Sequence, residues 1–152
     1  MEIERKFLLD APPVDLSGYK ALALKQGYIS TTPTIRLRRQ DDEYILTVKG
    51  EGIMAKEEFE LPMTAAQFEA LWPKTENAAI SKTRYLVPLE NGLTAELDAY
   101  HDALEGFFTV EVEFSDVEAA NAFAPPAWFG QEVTADVRYS NASLSQYGWP
   151  RE

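Results

Sequence analysis

Glu2, Glu4 and Lys6 stand at alternate positions of the opening run Glu2-Ile3-Glu4-Arg5-Lys6-Phe7. On a β-strand alternate side chains share a face, so two carboxylates and an ammonium group point one way while Ile3 and Phe7 point the other. The two carboxylates lie roughly 6.6 Å apart along such a strand. Oxygen donors at that spacing, with a cation beside them, suit a pocket for a hard divalent ion. The solvated face of an ordinary antiparallel strand carries the same pattern. Repetition separates the two readings. Arg36 and Arg38 share a face of a later strand, and Lys49 closes the next. Lys56, Glu58 and Glu60 share another, followed by Lys82 with Arg84, Glu96 with Asp98, and Glu111 with Glu113. Acidic pairs and basic pairs fall on different strands, whereas a merely solvated surface mixes its signs. Arginine forks and lysine point charges are what a polyphosphate needs. Carboxylates facing them would hold Mg²⁺ or Mn²⁺, which bridges phosphate oxygens.

These pairs must be positioned by strands. Alternation and turn signals predict strands over Glu2 to Leu9, Tyr28 to Thr31, Thr34 to Gln40, Glu43 to Lys49, Lys56 to Leu61, Ile80 to Leu89, Leu93 to Tyr100 and Phe107 to Phe114. Ala11-Pro12-Pro13 ends the first, Asp41-Asp42 and Gly50-Glu51-Gly52 are turns, and Asn91-Gly92 is a hairpin signal. Thr64-Ala65-Ala66-Gln67 fits a capping box ahead of Phe68, Leu71 and Trp72, and Pro73 stops that helix. Ser115-Asp116-Val117-Glu118 caps a second short helix before Pro125-Pro126, and a third is expected between Thr134 and Tyr147. With no internal repeat or linker, residues 1–152 read as a single domain. The expected class is mainly β (α+β): an eight-stranded antiparallel barrel, closed or nearly closed, with flanking helices. If the apolar faces pack on helices outside, the charged faces meet in the lumen. Arg5 and Arg39 fall on the opposite parity and belong outside or at a tunnel mouth.

Composition narrows the function classes. The 152 residues carry 14 basic and 25 acidic side chains, a net charge of −11, which disfavours nucleic acid and anionic membranes. No apolar run is long enough to span a membrane and no export signal is present, so a cytoplasmic location is expected. The absence of cysteine excludes disulfides, thiolate metal sites and a thiol nucleophile. The single histidine, His101, sits in a polar stretch as a surface residue, and no nucleophile elbow accompanies it.

Glu2-x-Glu4-x-Lys6 resembles the opening signature of the CYTH, or triphosphate tunnel metalloenzyme, superfamily. The later pieces match in order: Arg36-Leu37-Arg38, Thr47-Val48-Lys49, Glu58-Phe59-Glu60, Lys82-Thr83-Arg84, Glu96-Leu97-Asp98 and Glu111-Val112-Glu113. The resemblance runs from residue 2 to roughly residue 145. It implies an eight-stranded tunnel acting on a triphosphate-containing small molecule with Mg²⁺ or Mn²⁺, and the small bacterial members are mostly inorganic triphosphatases. By the same resemblance Glu2, Glu4, Glu111 and Glu113 would be metal ligands, with Asp98 nearby. Arg36, Arg38, Lys49, Lys82 and Arg84 would clamp the triphosphate. Lys6 and Tyr28 would orient or deprotonate water. The main substrate stays open among tripolyphosphate, thiamine triphosphate and ATP. Class IV adenylate cyclases and non-catalytic polyphosphate-binding modules are the other readings. Against a cyclase, the tunnel faces expected from the strands offer almost no aromatic or amide side chains for a base and ribose. The oligomeric state is not fixed by the sequence, and a homodimer remains open.

Overall fold

The computed structural model describes residues 1–12 and 15–150. Pro13, part of the expected stop after the first strand, lies outside them. The chain runs β1 (Glu2–Leu9), β2 (Lys20–Thr31), β3 (Thr34–Gln40), β4 (Glu43–Lys49), β5 (Ala55–Lys56), β6 (Glu58–Met63), α1 (Ala65–Leu71), β7 (Glu76–Pro88), β8 (Thr94–Tyr100), β9 (Phe108–Glu113), α2 (Val117–Ala122) and α3 (Asn141–Tyr147). All pairings between these strands are antiparallel. The sheet order is β5-β1-β9-β8-β7-β2-β3-β4-β6.

The two ends of that order are the key to the shape. β5 pairs with β1 and β6 pairs with β4, yet only Glu57 separates β5 from β6. One interrupted strand therefore bridges both sheet edges and nearly closes the barrel. Counted as one, β5 and β6 give the eight strands expected from the sequence; counted separately they make nine. Closure removes the exposed edges that an open sheet would present.

The outward faces form the main core. Ile3, Phe7 and Leu9 of β1, Ala95 and Leu97 of β8, and Val110 and Val112 of β9 are buried with Ala120 of α2 and Phe129. Each such aliphatic or aromatic side chain removed from water contributes about 1.5–3 kcal/mol. Arg5 lies on this outer side, as its parity required. Its guanidinium bonds the Glu132 carboxylate at 2.9 and 2.7 Å, and donates to the carbonyls of Ala120 and Phe123 at the end of α2. On another outer face, α1 is started by a complete capping box between Thr64 and Gln67. Its Phe68 stacks on Trp72 and meets the Tyr44 ring at a tilt of 55°. Trp72 approaches β2 at Gly27, where a Cβ would meet the indole and the Thr75 methyl at 3.0 Å, so a larger residue would push both away.

Three boundaries differ from the sequence expectation by more than two residues, one being β7, which begins at Glu76, four residues before Ile80. β2 begins at Lys20, eight residues before Tyr28. Its first part, Lys20-Ala21-Leu22-Ala23-Leu24-Lys25-Gln26, is made of helix formers and has no β-branched residue. Its extended state is imposed by pairing with β3 and β7 on both sides. The stretch from Thr134 is not one helix. It runs through a 3-10 turn at Val137–Tyr139 before α3 begins, capped by Ser140. α3 then closes one end of the barrel: Leu144 is buried with Ile80 of β7, Tyr100 of β8, Leu104 and Phe107. The Asn91-Gly92 turn is as expected, with both residues at positive φ (62° and 74°), the backbone such a hairpin demands.

Candidate active site

Every second residue of the barrel strands points inward, and a cavity of about 750 Å³ runs through the lumen. Its wall is divided by charge. β1 and β9 are neighbours, with Glu4 opposite Glu113 and Lys6 opposite Glu111; β8 adds Glu96 opposite Glu111. These acids face Arg36 and Arg38 of β3, Lys49 of β4 and Arg84 of β7, all on the cavity wall. Barrel closure brings the two sets together at one seam. Lys49 Nζ lies 2.9 Å from Glu2 and 3.6 Å from Glu58, although Lys49 and Glu2 belong to strands on opposite ends of the sheet order.

The electrostatics follow from crowding like charges in a poorly solvated space. Burial pushes the Glu4 carboxyl up to about 10, with the charge and hydrogen bond of Glu111 adding to the rise. Burial also acts on Glu111, but Lys6, the hydrogen bond from Glu4 and Arg84 outweigh it and hold that carboxyl well below the usual range. The pair therefore shares one proton between its two carboxylates. Glu2 is raised by burial and by its hydrogen bond with Glu58, against the pull of Lys49. Burial and the neighbouring Arg36 and Arg84 lower the Arg38 guanidinium to about 10.

Among the described residues, no group of three acidic or other metal-ligating side chains is close enough to hold a metal. The acids stand in pairs instead. Closely set carboxylates are hard oxygen donors whose mutual repulsion a divalent cation relieves, and this donor set suits Mg²⁺ or Mn²⁺. Glu2, Glu4 and Glu111 are the carboxylates that would draw together around such an ion, with Glu113 at the more exposed mouth.

Two residues assigned to the site by resemblance are not on the cavity wall. Asp98 is fully buried, and Lys82 is 1% exposed. Asp98 accepts a fork from Arg84, at 2.9 and 3.0 Å, and lies 2.7 Å from Lys82 Nζ. Both carboxylate oxygens are thus occupied by cations, and a metal at Asp98 would have to displace one of them. Lys82 is likewise set beneath the wall rather than on the clamp, with Asp98 between it and Arg84. Burial would raise Asp98, yet Arg84 and Lys82 hold it below the usual carboxylate range. Burial pushes the Lys82 ammonium down to about 7, against Asp98, with Arg84 and Arg38 adding to the fall. Both are covered by their own pairing: Arg84 spans the Asp98 carboxylate, and Lys82 lies between Asp98 and the Tyr100 ring, 5.3 Å from its centroid. The α3 plug packs beside them on Ile80 and Tyr100, which share the inward faces of β7 and β8.

Lys6 and Tyr28 both line the cavity. Lys6 Nζ donates to the Tyr139 carbonyl at 2.6 Å and lies 3.9 Å from Glu111. These acceptors suit an ammonium that donates. Lys56 is at the rim, Arg39 is outside and donates to the Asp41 carbonyl, and His101 is at the surface, 2.8 Å from the Thr83 hydroxyl. Arg138 pairs with Asp136 on the outside of the 3-10 turn.

The site also contains groups that sequence reasoning had not assigned. Glu58, Glu60 and Glu96 line the lumen, and their strand parity was the available signal. Tyr139, Asn141, Gln146 and Tyr147 line it as well. The expectation of almost no aromatic or amide side chains therefore meets two exceptions on the strands, Tyr28 and Gln40, and fails for the plug. Nothing in the local pattern of Thr134 to Tyr147 indicates that this segment folds across a barrel end.

A family model for the CYTH domain matches residues 1–144. An inorganic triphosphatase of Nitrosomonas europaea is 47% identical over 148 residues, covering 95% of this chain and 96% of that protein. A crystal structure of an inorganic triphosphatase superposes with a TM-score of 0.70 at 44% identity, covering 95% of this chain and 94% of that one. A protein from Pyrococcus horikoshii superposes with a TM-score of 0.53 at 20% identity, covering 80% and 82%, and shares the fold. The ordered strand pairs, the closed barrel and these matches together establish that the chain belongs to the CYTH family.

Proposed function

We propose that this protein is a triphosphatase that hydrolyses inorganic tripolyphosphate to pyrophosphate and phosphate within the barrel. The observation that carries the reading is the two-signed lumen: Arg36, Arg38, Lys49 and Arg84 face Glu2, Glu4, Glu111 and Glu113 across one cavity. Close relatedness over nearly the whole chain to an inorganic triphosphatase supports it.

In this reading the arginines bind phosphate oxygens through two-point contacts, and Lys49 adds a point charge. Water attacks the terminal phosphorus, the bond to the bridging oxygen breaks, and pyrophosphate leaves with that oxygen. The proton released by water passes to a phosphate oxygen or to the solvent-connected acids. The basic wall disperses charge on the transferred group, which is the main demand of phosphoryl transfer. Mg²⁺ or Mn²⁺ held by Glu2, Glu4, Glu111 and Glu113 would neutralise charge on the phosphate oxygens. Lys6 donates to acceptors around it, and Tyr28 offers a hydroxyl to the lumen.

The plug favours a second reading. Tyr139, Asn141 and Gln146 could touch the organic part of thiamine triphosphate or ATP, and such contacts would also be needed by a cyclase. Side-by-side kinetics on tripolyphosphate, thiamine triphosphate and ATP, with products resolved by chromatography, decide among them. We expect the highest kcat/KM for tripolyphosphate and no cyclic AMP. Cyclic AMP as the main product would overturn the hydrolase reading and leave the tunnel intact.

A further inference from the structure

Gln26 is fully buried, carries no charge, and lies beneath the lumen wall. It is the Cα partner of Arg38 across β2 and β3. Its amide oxygen accepts from Arg38 Nε at 3.1 Å, and its amide nitrogen lies 3.4 Å from the Tyr28 hydroxyl. Register irregularities of β2 fall between Gln26 and Tyr28 against β7, and between Tyr28 and Ser30 against β3. Irregularities of this kind re-aim side chains near functional sites.

The direction of both hydrogen bonds follows from chemistry. Arginine Nε can only donate, so the amide must turn its oxygen toward Arg38. Its NH₂ group is then left facing Tyr28, and the phenol oxygen accepts. A phenol hydrogen lies near the ring plane on one side or the other. With one side occupied by the donor from Gln26, the hydrogen turns to the other, where Tyr28 lines the cavity. On the opposite partner, occupation of Nε leaves the two terminal nitrogens of Arg38 for the lumen. One buried amide thus sets two donors at once.

We propose that Gln26 is a positioning residue that holds Arg38 and Tyr28 as paired hydrogen-bond donors to one phosphoryl group of the bound triphosphate. The proposal rests on the triphosphatase reading, and it makes Tyr28 a donor to the anion rather than the base that deprotonates water.

The test combines two substitutions at Gln26 with Tyr28→Phe. Gln26→Met has similar volume and neither bonds Arg38 nor Tyr28. It should raise KM for tripolyphosphate and the Kd of Mg²⁺-pyrophosphate, measured by calorimetry, each about tenfold. Gln26→Glu still accepts from Arg38 but accepts from Tyr28 too, turning the phenol hydrogen away from the lumen. Its kcat should fall to that of Tyr28→Phe, and the Gln26→Glu/Tyr28→Phe double variant should be no slower than Tyr28→Phe alone. Independent, multiplicative losses of kcat in the double variant would overturn the coupling, as would wild-type KM, Kd and kcat in Gln26→Met. If Gln26→Met does not fold, the near-isosteric Gln26→Glu cycle decides alone. If the wild type binds Mg²⁺-pyrophosphate but does not cleave tripolyphosphate, the triphosphatase reading fails. The binding arm of Gln26→Met then still decides whether Gln26 sets Arg38.

Discussion

Glu4 shows what a lumen built for a charged ligand costs the free protein. Its carboxyl keeps a proton to about pH 10 in the folded chain because of burial and Glu111, whereas in the unfolded chain it ionises near 4.5. The unfolded state therefore releases a proton that the folded state retains. Stability from this group is full below about pH 4.5 and declines as pH rises toward 10. Glu4→Gln removes that penalty at nearly constant shape. In EDTA at pH 7 it should raise Tm by several degrees, with the margin over wild type widening at higher pH. Metal-stimulated activity should disappear in the same variant. A lower Tm for Glu4→Gln at pH 9 would show that Glu4 is not the proton carrier. The opposite wall gives a second residue-scale prediction. Arg38→Ala should lower kcat/KM for tripolyphosphate by two orders of magnitude or so, and Arg38→Lys should recover only part, since an ammonium cannot reproduce the fork. Wild-type kinetics for Arg38→Ala would remove β3 from the clamp.

At the scale of elements, β7 and β8 hold the buried set Lys82, Asp98 and Arg84. A buried ion pair contributes little by itself, but removing one partner leaves an uncompensated charge, at a cost of about 3–5 kcal/mol. Asp98→Asn should therefore lower unfolding free energy by that amount in urea melts. It should also loosen Arg84, raising KM for tripolyphosphate. Retention of full stability would mean that Lys82 simply loses its proton, which burial already favours. α3 acts at the same scale. Leu144 anchors it among Ile80, Tyr100 and Phe107, and the Tyr100 hydroxyl donates to Asn141 at 2.7 Å. The plug thus sits on the residues that neighbour the buried charges on β7 and β8.

For the whole molecule, a net charge of −11 surrounds a lumen whose basic groups must attract a polyanion. A divalent cation reconciles the two, because it enters with the phosphate and offsets the acids. We expect EDTA to abolish activity and Mg²⁺ or Mn²⁺ to restore it; full activity in EDTA would refute a metal role. Tripolyphosphate with Mg²⁺ should raise Tm by several degrees at a hundredfold excess over Kd, through preferential binding to the folded state. No shift at millimolar ligand would count against the lumen as the binding site. Among the described residues, no helix is long and apolar enough to cross a membrane.

The sequence by itself determined the charged faces. Strand alternation is local, so Glu2, Glu4, Arg36, Arg38, Glu111 and Glu113 could be assigned to one side of their strands from spacing alone. The opposite parity of Arg5 and Arg39 was legible for the same reason, as was the capping box at Thr64. Tertiary structure decided what those faces meet. The long β2 is extended because two neighbours pair with it, against the propensity of Lys20 to Gln26 for helix. Closure through β5 and β6 brings Lys49 to Glu2, a contact between residues 47 positions apart. Pairing of Asp98 with both Arg84 and Lys82 sets Lys82 and Asp98 beneath the wall as a buried support. The role of Gln26 emerges only when Arg38 and Tyr28 stand on either side of it. Which way a side chain points is set by its own strand, but which partner it meets depends on chain segments far away in sequence, and only the folded packing brings those together.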